Sequence, residues 1–186
     1  MAVQITAEVN QVSMSLVLTR FKNLKSGKMK SQSANAINKV ARTFRKQEKQ
    51  DVKRRFAFKA SLDTVLRRAS PAKLSAEVEF RSEDRVTGRF KVKKNGKRTA
   101  AGVSILRGNM TYPTLNGNRG FVPARSPALA LGSVFFRSGK SRHPISVTYG
   151  PSDRGMAHSP AFFDANTEEA HEALSRELRV ILDKYL

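Results

Sequence analysis

The chain of 186 residues contains 35 Lys and Arg but only 15 Asp and Glu, which gives a formal net charge of +20 at pH 7. A field of this size favours a polyanionic partner, either nucleic acid or an acidic protein surface. The absence of cysteine excludes a disulfide framework and a thiolate metal site. The apolar stretch Met14–Leu18 is too short for a signal-peptide core or a membrane span, so we expect a soluble protein that is used without secretion and without a membrane.

The positive charge is concentrated in the first half of the chain. Between Arg20 and Arg98 there are 25 Lys and Arg against 7 Asp and Glu, whereas from Pro160 to Leu186 there are 3 basic and 6 acidic residues. The length suits a single domain over residues 1–186 that can bury a hydrophobic core. Within it we expect residues 1–32 to be a possible N-terminal arm, because Ser26–Ser33 is rich in Ser, Lys and Gly and is typical of a mobile connection.

The N-terminal half is predicted to be largely helical. Val3–Val9 alternates like a short strand or an unpaired arm, and Met14–Leu24 has helical spacing. Helical spacing is clearest from about Ser33 to Phe56, with Ser33 as an acceptable N-cap. The opposite face of this helix is a continuous basic stripe, in steps of three and four residues, formed by Lys39, Arg42, Lys46, Lys49 and Lys53. A shorter helical piece, Leu62–Ala69, is expected to end before Pro71.

The middle of the chain has the period of two that is typical of strands. Leu74, Ala76, Val78 and Phe80 alternate with polar residues from Lys73 onward. Arg89–Lys93 and Thr99–Leu106 flank Asn95-Gly96, which is a strong signal for a type I′ hairpin turn. Residues 108–132 hold 7 of the 18 Gly and Pro residues and are predicted to be a long loop or a hairpin tip. Two more strands are predicted at Ser133–Phe136 and Ile145–Tyr149, followed by a connector at Gly150–Pro160.

The last predicted element is an amphipathic helix from about Thr167 to Tyr185. We expect it to pack on the sheet with Leu174, Leu178 and Ile181 buried. Asn166 with Glu169 three residues later resembles a capping box. The predicted fold class is therefore α+β, an antiparallel sheet packed with a long basic N-terminal helix and an amphipathic C-terminal helix.

Residues that could carry catalysis do not form a recognisable constellation. His143, His158 and His171 lack the spacing of a zinc site, and no phosphate-binding Gly-rich loop is present. Glu77 and Glu79 share one face of a predicted strand and could hold a divalent ion, which leaves a nuclease as one hypothesis. Alternating polar residues on a solvated strand face explain the pair more simply. We therefore expect no enzyme, no catalytic residue, no cofactor and no metal site.

The basic residues are the candidate contact site for a polyanion or an acidic partner. They occur along the helix, in the following segment and around the hairpin. Solvation of a single helix face therefore does not account for all of them. Few aromatic residues lie among them, so any nucleic-acid contact would be directed at phosphates and independent of sequence. The candidate residues are Lys39, Arg42, Lys46, Lys49, Lys53, Arg54, Arg55, Arg67, Arg68, Lys93, Lys94, Lys97 and Arg98.

Several short runs of the sequence follow one another in a recognisable order: Ala34–Arg42 and Leu66–Ala69, then Arg142–Val147, Gly150-Pro151 and Met156, and finally the amphipathic C-terminal helix. Their order resembles that of the minor tail protein Z family of lambda-like tailed phages. The similarity spans most of the chain at similar length, although the family often has an aromatic residue at the position of His143 and the central sheet region aligns poorly.

The resemblance implies a structural virion protein that completes the tail and acts in the neck, where the tail meets the head. Such proteins assemble in the host cytoplasm into homo-oligomeric rings, commonly hexamers, near tail terminator, tape measure or connector proteins, with possible non-specific contact to packaged DNA. Composition alone favours the alternative, a sequence-independent nucleic-acid-binding module.

Overall fold

The structure is a computed structural model that describes residues 27–81, 83–93, 100–123, 132–137, 139 and 144–185, with the side chain of residue 185 excepted. The predicted strand Val3–Val9, the helical stretch Met14–Leu24 and the turn at Asn95-Gly96 lie outside these residues. Long helices and short antiparallel strand pairs make up the fold, so the predicted α+β class is confirmed.

The chain divides into two compact units. Unit 1 comprises Met1–Glu48, Asp63–Phe80 and His158–Leu186, and unit 2 comprises Lys49–Leu62 and Arg81–Ala157. The prediction of a single domain over residues 1–186 stays a prediction, and each unit has its own elements and buried residues.

Helix α1 runs from Gly27 to Arg55 and therefore begins six residues before the predicted start at Ser33. The prediction that Ser26–Ser33 is a mobile connection is wrong from Gly27 onward. Met29 and Ser33 are both 1% exposed and lie one helical turn apart, so they belong to the same buried face. Burial of this face outweighs the Ser- and Gly-rich composition, and Ser33 is an interior residue of the helix and not its N-cap.

In unit 1, α1 packs antiparallel to helix α3, which spans Phe163–Tyr185. Three side-chain contacts define the pairing: Lys39 with Glu177, Gln47 with Glu169 at 2.6 Å, and Asn166 with Glu48 at 3.1 Å. Residue numbers rise along one helix as they fall along the other, which is the signature of an antiparallel pair.

The interface of these helices is apolar between the polar contacts. Phe44, Leu174 and Leu178 are buried there, which confirms two of the three burial predictions for the last helix, whereas Ile181 is only partly buried. Helix α3 begins four residues before the predicted Thr167. The turn that leads into it is closed by bonds from the N–H groups of Phe162 and Phe163 to the carbonyl of Ser159. Asn166 is therefore inside the helix, and the capping-box prediction is wrong.

Unit 1 also contains a two-stranded antiparallel hairpin, β1 (Thr64–Arg67) and β2 (Glu77–Phe80). The predicted alternation is confirmed in β2, where Val78 and Phe80 are buried and the intervening residues are partly exposed. The helical prediction for Leu62–Ala69 is wrong. Adjacent β-branched residues at Thr64 and Val65 favour an extended backbone, and the partner strand supplies hydrogen bonds that an isolated two-turn helix lacks.

The turn region that follows β1 is fixed to α1 by Asn38. The side-chain amide of Asn38 donates to the carbonyl of Ala69 at 2.9 Å, and its oxygen accepts from the N–H of Ala69 at 2.8 Å. Ser70 and Lys73 then exchange two backbone hydrogen bonds across Pro71. The amide therefore acts as a two-point clasp between the helix and the hairpin.

Unit 2 is built mainly from short antiparallel strand pairs. Strand β3 (Asp84–Val86) pairs with β10 (Tyr149–Ser152), β4 (Lys91–Lys93) with β5 (Gly102–Ser104), β6 (Thr114–Leu115) with β7 (Asn118–Arg119), and β8 (Phe135–Arg137) with β9 (Ile145–Val147). A 3-10 turn at Thr87–Arg89 precedes β4, and a short helix, α2 (Asp153–Ala157), follows β10. The strands predicted on both sides of Asn95-Gly96 are thus present as β4 and β5.

Residues 108–132, predicted to be a long loop or a hairpin tip, contain a short hairpin. Its strands β6 and β7 are joined by Asn116-Gly117, whose φ angles of +49° and +76° are those of a type I′ turn. The predicted connector Gly150–Pro160 contains the end of β10 and the whole of α2. Asp153 in α2 is fully buried and receives two hydrogen bonds of 2.7 and 2.6 Å from Arg85 of β3.

The core of unit 2 is centred on Phe90, which is 0% exposed and lies 5.3 Å from the ring of Phe58. Gly150 lies against one edge of the same ring. A Cβ atom at position 150 would come within 2.6 Å of Phe90 Cε2, so only glycine permits this approach.

A closed ring of hydrogen bonds joins three residues of unit 2. The Val134 N–H donates to Thr87 Oγ1 at 2.9 Å, and the Thr148 hydroxyl donates to the Val134 carbonyl at 2.7 Å. Because the Thr148 proton is used in this way, Thr87 must be the donor in the 2.9 Å contact between the two hydroxyls. Each hydroxyl therefore donates once and accepts once, and the buried polar groups satisfy one another.

Candidate polyanion-binding surface

The basic stripe of α1 lies on the face of the helix opposite to its buried residues. Residues such as Ser33, Phe44 and Val52 are buried at helical spacing, which leaves the positions of the stripe on the solvent side. The exposed stripe residues are Lys39, Arg42, Lys46 and Lys53, and Lys49 is partly buried. Periodicity thus correctly identified which face of the helix points to solvent.

The stripe residues in unit 1 differ in their partners. Lys39 forms an ion pair with Glu177 of α3, and this contact reduces the charge that it offers to a ligand. Arg42 donates through Nε to the carbonyl of Asn38 at 3.0 Å, and Lys46 is fully on the outer face. Neither Arg42 nor Lys46 forms an ion pair with any residue that the structure describes, so both are available to an external anion.

In unit 2 the stripe continues through the last turns of α1. Lys53 and Arg55 are exposed, and neither has an acidic partner in the described part of the chain. Arg54 is bound to Asp51 three residues earlier at 3.2 Å. Three basic residues at the C-terminal end also suit the negative end of the helix dipole.

The remaining predicted contact residues are divided between the units. Arg67 of β1 lies across the hairpin from Glu77 and Glu79, at 3.3 and 3.4 Å from their carboxylate oxygens, so it is neutralised by them. Arg68 in unit 1 and Lys93 in unit 2 are exposed. Lys94, Lys97 and Arg98 lie outside the described residues.

Glu77 and Glu79 are the candidate metal ligands of the nuclease hypothesis. Both carboxylates contact the same guanidinium, that of Arg67. Among the described residues there is no group of three or more His, Asp or Glu side chains placed to hold a metal ion. His158 stacks on Phe163 with ring centroids 4.4 Å apart, His171 is partly buried on α3, and His143 is outside the described residues.

The solvent face of the first half of α3 carries the opposite charge. Glu169 is exposed there and accepts a hydrogen bond from Gln47 of α1. Three further exposed acidic residues follow one another at intervals of four, with no Lys or Arg between them: Asp164, Glu168 and Glu172. Within the described residues none of the three forms an ion pair, so unit 1 presents a basic face on α1 and an acidic face on α3.

Sequence reasoning missed Arg107 as a candidate contact residue. It lies in the glycine-containing segment after β5, where no periodic pattern marks it. Arg107 donates from Nε to the carbonyl of Lys53 at 2.7 Å and from its backbone N–H to the carbonyl of Arg55 at 2.9 Å. It thereby joins the cationic end of α1 in unit 2.

Comparisons of the chain with protein-family models, with curated proteins and with solved structures found no match. Among the described residues, no helix is both long and apolar enough to cross a lipid bilayer.

Proposed function

We propose that this chain is a non-enzymatic structural protein of a tailed-phage virion, which completes the tail and helps to form the ring-shaped neck at the head–tail junction. Copies of it assemble in the host cytoplasm into a ring, commonly a hexamer, that contacts tail terminator, tape measure or connector proteins. The resemblance of Ala34–Arg42 and Arg142–Val147 to the minor tail protein Z family supports this role.

The observation that carries the proposal is the pair of oppositely charged faces in unit 1. The basic face consists of Lys39, Arg42 and Lys46, and the acidic face consists of Asp164, Glu168 and Glu172. One subunit that displays both signs can bind the next in a head-to-tail contact, and repetition of such a contact closes a ring. Complementary charge selects this register and rejects contacts between like faces.

A charge-swap experiment tests the head-to-tail contact. Variant A carries Arg42→Glu with Lys46→Glu, and variant B carries Glu168→Lys with Glu172→Lys. We expect the unmodified chain to form rings, and neither variant to do so alone. An equimolar mixture should recover rings, because every A–B contact then joins opposite charges. Sedimentation velocity at low and high salt measures the assembly.

The control keeps the charge change of variant A but moves it along α3, beyond the end of the acidic face. Arg179→Glu with Lys184→Glu alters exposed residues in the last turns of α3 and should assemble normally. An unmodified chain that is monomeric at all concentrations, or a mixture of A and B that stays unassembled, would show that these faces do not join subunits.

Particles from a phage that lacks this chain test the role in the virion. We expect negative-stain images to show full heads and tails of normal length that are not joined. Variant A should fail to restore infectivity, and the control variant should restore it. Normal joining without the chain would contradict the tail-completion role.

The exposed cations also support a second candidate function, sequence-independent binding of nucleic acid. Arg42, Lys46 and Lys53 have no acidic partner within the described residues, so they can approach phosphates. Removal of one phosphate-binding cation should reduce the slope of log K against log salt by about 0.9 for duplex DNA. Weak DNA binding that variant A leaves unchanged would contradict this function.

A further inference from the structure

A solvent-open pocket in unit 2 has the lining of an anion site. Its volume is about 170 Å³, and its lining includes Lys91, Ser104, Arg107, Gly108 and Asn109. A single buried water requires only about 10–15 Å³, so the pocket can hold a tetrahedral oxyanion together with some of its hydrating water molecules. No Asp or Glu lines it.

The strand register places the cations of this pocket on neighbouring segments. Lys91 of β4 pairs directly with Ser104 of β5. The chain then turns at Leu106–Asn109, where the Asn109 N–H donates to the Leu106 carbonyl at 3.3 Å and Gly108 has φ +86°. A positive φ at the third residue is what a type II turn requires. This turn brings Arg107 to the pocket that Lys91 also lines.

Arg107 is held in place before any ligand arrives. Its Nε and backbone N–H are bound to the carbonyls of Lys53 and Arg55 at the end of α1. The two terminal amino groups of its guanidinium have no hydrogen-bond partner among the described residues. A guanidinium fixed at Nε with both amino groups available can bind phosphate in a bidentate manner with little further loss of conformational entropy.

The other lining groups complete the recognition of an anion. Lys91 is exposed and has no ion pair within the described residues, so its ammonium can move onto the ligand. The side-chain amide of Asn109 offers a further donor. Ser104 is buried, and its hydroxyl proton is used by the Leu106 carbonyl at 2.7 Å, so it forms the wall of the pocket.

We propose that this pocket binds a phosphate group, with Arg107 as the fixed bidentate donor and Lys91 as the mobile cation. The backbone of a nucleic acid and free inorganic phosphate carry the same chemistry, and separate titrations with the two ligands distinguish them. The site does not depend on the proposed tail-completion role, because it involves unit 2 and neither of the charged faces of unit 1.

The test compares Lys91→Gln with Lys93→Gln in the full chain. Both lysines are exposed on β4, but only Lys91 lines the pocket, so the two variants lose the same charge from the same strand. Isothermal titration with inorganic phosphate and fluorescence anisotropy with a short DNA duplex measure the two ligands. Arg107→Lys, checked for folding by thermal unfolding, keeps the charge but removes the bidentate geometry.

We expect Lys91→Gln to weaken binding roughly tenfold, as loss of one charge-assisted hydrogen bond does, and Lys93→Gln to weaken it much less. An effect of Lys91→Gln on DNA, with a smaller salt dependence, identifies the ligand as a backbone phosphate. An effect on inorganic phosphate alone identifies a site for the free anion. Equal effects of the two variants in both assays, or no binding of either ligand, would overturn the proposal.

Discussion

The hydrogen-bonded ring of Thr87, Val134 and Thr148 predicts an unequal response to two isosteric substitutions. Thr87→Val removes the hydroxyl that accepts from the N–H of Val134, a residue that is 0% exposed, and also removes the proton donated to Thr148. Leaving a buried donor unsatisfied costs about 1–3 kcal/mol, and a second weakened contact adds to this, so we expect a loss of about 2–4 kcal/mol in the free energy of unfolding.

Thr148→Val should cost less, about 1–2 kcal/mol, because the Val134 carbonyl keeps the 2.9 Å bond from the backbone N–H of residue 148. Thr114→Val is the matched control, since Thr114 is exposed on β6, and surface substitutions usually change stability by less than about 0.5 kcal/mol.

Urea unfolding followed by circular dichroism gives the free energies, and hydrogen exchange of the Val134 amide reports the site directly. We expect the Val134 amide to exchange faster in Thr87→Val than in Thr148→Val. If Thr87→Val unfolds at the same urea concentration as Thr114→Val, the ring of hydrogen bonds does not stabilise unit 2.

Three further predictions concern side-chain packing and hydrogen bonds, and the change in stability is measured by urea or thermal unfolding. Leu174→Ala should cost about 2–5 kcal/mol because Leu174 is 5% exposed in the helix interface, whereas Val180→Ala, at a residue 68% exposed, should cost far less; equal losses would place Leu174 at the surface. Gly150→Ala should cost about 1–3 kcal/mol, since the new methyl group overlaps the Phe90 ring, and unchanged stability would contradict that close approach. Asn38→Ala should lower the free energy of unfolding by about 1–3 kcal/mol, because it removes the two hydrogen bonds to the backbone of Ala69; a stability equal to that of the unmodified chain would show that these bonds do not hold the hairpin to α1.

Local patterns in the sequence predicted the elements whose burial repeats with a regular period. The stripe from Lys39 to Lys53 and the alternation around Val78 are of this kind, because one side of each element faces the core and the other faces solvent. The same periodicity correctly predicted burial of Leu174 and Leu178 in α3.

The incorrect predictions involve residues whose environment depends on distant parts of the chain. Asn166 is a residue type that often caps helices, but its side chain forms a hydrogen bond with Glu48, 118 residues earlier in the chain. Thr64–Arg67 has helical spacing, yet it pairs with a strand that no local window includes. Arg107 lies in a turn and owes its position to the end of α1, so no periodic signal marked it as a candidate contact residue.

The antiparallel contact of α1 with α3 also determines when unit 1 can complete its folding during synthesis. Glu177 lies 138 residues after its partner Lys39, and all of Arg81–Ala157 is translated between the two helices. Unit 2 can therefore begin to fold on the ribosome while the apolar side of α1 around Phe44 still lacks its covering helix. A nascent chain that terminates before Phe163 would leave that side uncovered, which makes such a fragment a natural target for chaperones and proteases.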